Sequence, residues 1–443
     1  MIRLPLATAL AVGLLWITTS PVVAQATKET ASAVKTTTAA KEVPAANGAS
    51  PQAAKINELI AKGWEASGVK KPAEKASDLE FMRRAFIDLL GRIPTPEEIT
   101  DFEMDRATNK RAKLIHRILN DTAYTPKDRT GKPVNAIQGL KMPKGGLDYN
   151  DAYASNFAEL WANWMLSRSN THPQYREQFK VWLADQFSTP PTGSERAKDY
   201  PSGTPWNVLV QQVIGATGRT GTNNATVFVL RHLGDPLIDA EARKRGEKED
   251  LGKDGKYDAV PITSRVTRLF LGIKTQCTQC HNHPFNKEYI QSDFWGINGF
   301  FRQTDRSGNT NVPVMRNNQT GEIAPVAQLE LRDMPEWNMM GLNDSGLGRG
   351  MVRYERRDGQ KSATAPAMLR DLAQFADGTK SSGKQIVAGS IPSNMKTKDG
   401  KPMSRRDLLG HWVTEHDNFA KAFVNRMWGH LFGRGLNKEP SGR

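Results

Sequence analysis

Apolar residues recur at helical spacing through much of this 443-residue chain, and the recurrence predicts where its helices lie. Leu79, Met82, Phe86 and Leu89 share one face of a run that Ser77 and Glu80 open as a capping box and Gly91 closes. A second start follows, with Thr95 as N-cap, Pro96 at the first helical position and Glu98 reaching back. A third run, 110–119, sets Leu114, Ile115, Ile118 and Leu119 on one face, and a short amphipathic segment at 55–67 precedes all three. The charged residues among them, Arg83, Arg84, Asp88 and Arg92, read as solvated faces or local pairs.

Residues 124–150 carry Pro, Gly, Lys and Asp without a period and read as an inserted loop. The pattern returns in three aromatic-rich helices. Their faces are Phe157, Leu160, Trp161 and Trp164, then Tyr175, Phe179, Trp182, Leu183 and Phe187, then Trp206, Leu209, Val210, Val213 and Ile214. Such stripes serve equally as ordinary core or as the wall of a large apolar pocket. The stretch 225–233 gives no decisive period, and 241–258 is charged and reads as exposed. A helix over 262–274 with Ser264 as N-cap carries Val266, Leu269, Phe270 and Ile273, and another over 288–303 carries Tyr289, Phe294, Trp295 and Phe300. Loops with a few short strands fill 305–400, and helices return with Leu408, Leu409 and Trp412, then Phe419, Phe423, Met427 and Leu431.

The predicted fold is therefore mainly α, with long irregular insertions and a few short strands. Its order is a signal peptide (1–24), a disordered linker (25–54), an N-terminal helical subdomain (55–123), the inserted loop (124–150) and a helical domain (151–304). A loop-rich segment (305–400) and the start of a second, truncated helical domain (401–443) follow. The signal reading rests on Arg3, an apolar run from Leu4 to Ile17, and Val22-Val23-Ala24 at the cleavage site. That run is too short to span a bilayer, so the mature chain is expected outside the cytoplasm with no transmembrane segment. Residues 25–54, rich in Ala, Thr, Lys and Ser, cannot bury enough surface to order themselves.

A formal net charge of +14 favours acidic partners or surfaces. The basic residues are spread rather than striped among aromatics, so nucleic acid is not indicated. No nucleophile elbow, phosphate loop or His-Glu-x-x-His pattern occurs, which leaves a hydrolytic role without a basis.

The chemistry concentrates between Gln276 and Phe285. The chain's two cysteines, Cys277 and Cys280, stand two residues apart there, directly before His281. This is the pattern of covalent c-type haem attachment, in which two thiols bond one haem and the next imidazole ligates its iron. The expected cofactor is one covalent haem c, with Cys277, Cys280 and His281 as cofactor-binding residues and His281 the proximal iron ligand. Two readings compete: a Cys277–Cys280 disulfide in a non-enzymatic scaffold, and zinc held with His281 or His283. His283 cannot reach the opposite haem face, because two residues span only about 7 Å. His172, His232, His411, His416, His430, Met339, Met340 and Met351 stay open as sixth ligands. A filled sixth position favours electron transfer and an open one a haem enzyme.

Four stretches resemble a known family: 83–98, 269–285 through the haem motif, 293–301, and 405–436 with Val-Asn-Arg-Met-Trp-Gly-His-Leu-Phe-Gly-Arg-Gly-Leu. The family is that of the secreted cytochrome-like proteins characteristic of planctomycete bacteria, a haem-motif domain followed by a family-specific second domain. The resemblance implies a multi-helix cytochrome-like core, a redox role with an unidentified partner, and no established substrate. The insertions at 124–150 and 241–258 depart from the family's pattern.

Overall fold

The computed structural model describes residues 51–69, 73–134, 136–137, 146–167, 173–235, 257–286, 289–307, 330–333, 352–369, 396–397 and 400–437. The signal segment, nearly all of the linker and of 241–258, His172, Met339, Met340 and Met351 lie outside the described residues. The fold is mainly helical, as expected, with thirteen α-helices and five short strands among the described residues. No helix among them is long and apolar enough to cross a membrane. The chain divides into two units, 3–153 and 154–443.

In the first unit, α1 (Pro51–Ala66) buries no residue. The three helices that follow are α2 (Asp78–Leu90), α3 (Pro96–Met104) and α4 (Lys110–Asn120). Ser77 and Glu80 form the capping box at the start of α2, and Thr95 with Glu98 forms the one at α3. Met82, Phe86 and Leu89 of α2 pack with Leu114 and Ile118 of α4, all five at most 5% exposed. Leu79 differs from its expected place: it lies in the first turn of α2, ahead of the core, and is 45% exposed.

Glu98 is the centre of this unit. It is buried, yet it accepts both Arg92 Nη atoms at 2.7 and 2.6 Å, the Tyr149 hydroxyl at 2.6 Å and the Thr95 amide at 2.8 Å. Tyr149 packs edge-on against Phe86 and stacks on Tyr124. Tyr124 and Leu147 exchange backbone bonds within 124–150, and helix α5 (Tyr149–Leu166) begins two residues later.

In the second unit the three aromatic helices form as expected, as the body of α5, α6 (Pro173–Phe187) and α8 (Trp206–Gly215), with short α7 (Glu195–Asp199) between the last two. The ambiguous stretch 225–233 is helix α9 (Thr226–His232). Then come α10 (Val260–Phe270) and α11 (Gln291–Asn298), which a 3-10 turn, Gly299–Phe301, extends. Two sheets are small: β1 (Gly218–Arg219), β3 (Glu330–Asp333) and β2 (Thr304–Ser307) pair antiparallel in that spatial order, and β4 (Val352–Glu355) pairs with β5 (Lys361–Thr364).

Helices α12 (Arg405–Glu415) and α13 (Asp417–Phe432) complete this unit's core. Arg405 and Arg406 are buried to 1% and 0% exposure. Arg406 bonds Asp333 through Nε at 2.8 Å and the carbonyls of Ile214 and Ala216 through Nη1 at 3.0 and 2.8 Å, tying α12 to the end of α8 and to β3. Helices α8 and α12 lie backbone to backbone, and a Cβ added to Gly410 would stand 3.2 Å from the Gln211 Cα.

Candidate functional site

Helix α10 starts at Val260 with Pro261 in its first turn, which leaves Ser264 inside the helix instead of at its cap. It ends at Phe270, short of the predicted Lys274, because Gly272 takes φ 68° and turns the chain out of the helix. The amides of Leu271 and Ile273 both donate to Thr267 O at 3.1 Å, and the Thr267 and Thr275 hydroxyls meet at 2.7 Å in the interior. The 3-10 turn Gln276–Gln279 rises from that closed end, with Thr278 buried beneath it and its hydroxyl on Thr275 O at 2.6 Å.

Two side chains of α11 clamp the turn. Gln291 Nε2 and Trp295 Nε1 donate to Gln279 O at 3.0 and 3.1 Å, and the same Gln291 amide donates to Glu355 O at 2.8 Å. The stretch after the turn is pinned too: Asn282 Oδ1 accepts the Gln291 backbone N–H at 3.0 Å, and the His283 backbone N–H donates to Tyr289 O at 2.9 Å. The predicted helix over 288–303 is therefore shorter, because Tyr289 and Ile290 serve this loop and the Ile290 amide donates to Asp293 at 2.8 Å.

Cys277, Cys280 and His281 stand together on this one surface turn. Both thiols are unbridged; Cys277 is half-buried and Cys280 exposed. His281 Nδ1 lies 2.6 Å from Asn282 O. A carbonyl only accepts, so Nδ1 carries a proton, and in the neutral ring Nε2 is then the nitrogen with the lone pair that can ligate a metal. His283 has another role. Its Nδ1 accepts the amides of Asn286 and Phe285 at 3.0 and 3.3 Å, which makes it the residue that closes the turn. Phe285, beside it, is 93% exposed.

These residues fit a covalently attached haem by their donor set. A porphyrin supplies four iron ligands, so two thiols and one imidazole with a free Nε2 are all that the chain needs to provide. A tetrahedral zinc ion needs four ligands from the protein in a structural site and three in a catalytic one, and among the described residues no three of His, Cys, Asp and Glu converge as a metal-holding group.

The other candidate ligands are dispersed. His232 donates from Nε2 to Met165 O at 2.7 Å, and burial, ahead of the nearby Arg265 and Arg231, pulls its pKa down to about 3. His411 pairs with Glu415 at 3.1 Å, and His416 Nδ1 caps α13 by accepting the Asn418 amide. His430 lies edge-on to Phe157 and Trp164, and its buried Nε2 has no hydrogen-bond partner. A cleft of about 900 Å³ lined by Trp182, Tyr200, Asn223, Asp407 and His411 includes none of the three motif residues.

One family model matches residues 55–306, more than half of the chain and the whole of this turn. The chain belongs to the PSCyt2 family, described as a protein of unknown function (DUF1549). No curated protein and no solved structure matches it. The PSCyt2 match ends in β2, so α12 and α13, which carry Arg406 and His430, lie beyond it. Sequence reasoning missed Gln291, Trp295 and Asn282, the groups that hold the turn. A glutamine or tryptophan bonding a backbone carbonyl leaves no spacing pattern to find.

Proposed function

We propose that this PSCyt2 protein is an extracytoplasmic, c-type cytochrome-like protein that carries one covalent haem on Cys277 and Cys280, with His281 as proximal ligand. A haem iron held this way moves single electrons, and the role proposed is that of an electron carrier or redox subunit. The observation that carries the reading is the Cys277-x-x-Cys280-His281 turn, whose His281 has Nδ1 occupied by Asn282 O and Nε2 open. Thioether bonds form between each thiol and a vinyl group, so the exposure of Cys280 and the partial exposure of Cys277 suit attachment from solvent. Around the turn the chain supplies rigidity: Gln291 and Trp295 hold Gln279, and Asn282 holds α11. The apolar run at the start of the chain is the basis for placing the protein outside the cytoplasm.

The test is expression in a host with c-type maturation, followed by a haem stain of the denatured protein and a reduced-pyridine spectrum. Covalent haem with a two-thioether spectrum is expected. Cys277→Ser should leave one thioether and a shifted spectrum. Protein without covalent haem, with Cys277 and Cys280 bridged instead, would overturn the reading in favour of a scaffold closed by a disulfide.

A further inference from the structure

A second chemical feature lies at the C-terminal end of α5, in residues the haem reading does not use. Arg265 of α10 donates from Nε to Met165 O at 3.2 Å and from Nη2 to Trp164 O at 2.8 Å. Arg426 of α13 donates from Nη1 to Leu269 O at 2.8 Å, and its guanidinium carbon stands 5.8 and 5.6 Å from the ring centres of Trp161 and Trp164. His430, one turn along α13, meets the same Trp164 at 6.0 Å, with its Nε2 buried and unpartnered.

Among the described residues, the hydrogen bonds of Arg265 and Arg426 go to backbone carbonyls alone, and neither guanidinium is within ion-pair distance of a carboxylate. The negative pole of α5 offsets roughly half an elementary charge, and His232 already shares Met165 O. That falls short of two guanidiniums. Burial first, then Arg265 and Arg268, lowers Arg426 to about 10, and burial with Arg268 and Arg231 lowers Arg265. Arg265 and Arg426, largely desolvated and meeting no carboxylate among the described residues, are costly to bury unless an anion joins them.

We propose that Arg265, Arg426 and His430 form a binding site for a tetrahedral oxyanion of at least two charges, phosphate or sulfate, free or as the ester of a larger molecule. Both guanidiniums have N–H groups left over after their carbonyl bonds, and the fork geometry of Arg suits such oxygens bidentately. His430 Nε2 is buried with no hydrogen-bond partner among the described residues, which leaves it open to a further one. The site is independent of the haem motif, and each can fail without the other.

The experiment is arginine modification of the full-length wild-type protein by phenylglyoxal, which attacks the uncharged guanidine, read peptide by peptide by mass spectrometry. Inorganic phosphate and inorganic sulfate at millimolar concentration should slow modification of Arg265 and Arg426 at least five-fold, while exposed Arg84 is unaffected. Phenyl phosphate protecting at lower concentration would assign the site to an ester. Sodium chloride of equal ionic strength protecting as well as phosphate would overturn the proposal. So would no protection at all. As a second measurement, titration calorimetry with inorganic phosphate should show a single site that Arg426→Gln weakens at least ten-fold; unchanged affinity in a folded Arg426→Gln protein would equally overturn it.

Discussion

Two regions each bury part of an arginine, and they treat its charge in opposite ways. In the first unit Arg92 meets the buried carboxylate of Glu98 through two bonds. Burial alone would lower the Arg92 pKa; its bonds to the Glu98 carboxylate and that carboxylate's charge more than reverse this, and the guanidinium ends above its ordinary value. In the second unit Arg426 has one carbonyl and two tryptophan faces, and burial with its arginine neighbours lowers it to about 10. Desolvation acts on both. Among the described residues, what differs is whether a carboxylate is there to answer it, and the proposed anion would supply for Arg426 what Glu98 supplies for Arg92.

The largest expected effect comes from breaking the paired region. Glu98→Ala removes the acceptor of Arg92, the Tyr149 hydroxyl and the Thr95 amide together. It should cost about 3 kcal/mol or more, as for removal of one partner of a buried pair, read by urea denaturation and by hydrogen exchange over 78–104. Glu98→Gln should cost less, because it keeps acceptors. A loss under about 1 kcal/mol for Glu98→Ala would mean that the pair is not what holds the unit.

His232 sharpens the other side of the comparison. Its folded pKa of about 3 lies below the ordinary 6.5, with burial the main cause. The unfolded chain therefore binds a proton that the folded chain refuses. The resulting stability is complete above pH 6.5 and drains away as pH falls toward 3. At pH 4.5, two units below the ordinary value, the loss should be about 3 kcal/mol for this group. His232→Gln can keep an N–H on Met165 O while removing the titration. The urea midpoint of that variant should fall less between pH 7.5 and 4.5 than the wild type's, and equal falls would refute the assignment.

Much of the helical frame was legible in the sequence, because amphipathic periods and caps are local. Ser77 with Glu80, Thr95 with Glu98 and the face Leu408, Leu409 and Trp412 all sit in helices where expected. Misreadings occurred where two local signals disagreed. Ser264 could cap a helix, but Pro261 already started one; Ile273 continued the apolar period, but Gly272 had ended it. The three motif residues could be read because they are adjacent. Nothing in a linear pattern links Arg265 to Arg426 or Glu98 to Tyr149, and the same holds for Gln291 and Gln279. These associations exist only after the chain has folded.

The clamp on the motif turn is a smaller effect of the same kind, polar groups meeting carbonyls. Gln291→Ala leaves Gln279 O with Trp295 alone and Glu355 O without that donor. The expected loss is about 1 kcal/mol, with faster hydrogen exchange concentrated over 276–283. Exchange unchanged there would show that the turn is held by Thr275 and Thr278 beneath it instead.

The smallest effect should come from the unpaired region, and its smallness is the point. Arg426→Met keeps an unbranched chain against Trp161 and Trp164 and gives up one bond to Leu269 O. It also removes a desolvated charge from the field of Arg265 and Arg268. Replacing a buried, poorly answered ion by an apolar side chain of similar volume is close to neutral or stabilising, so stability in anion-free buffer should change by less than about 1 kcal/mol, in either direction. Inorganic phosphate should then raise the wild type's melting temperature and leave that of the variant nearly unmoved, since a ligand stabilises only the state that binds it. A variant as badly destabilised as Glu98→Ala would place Arg426 with Arg92, as a structural cation whose partner is the α10 carbonyl, and would erase the distinction between the two regions.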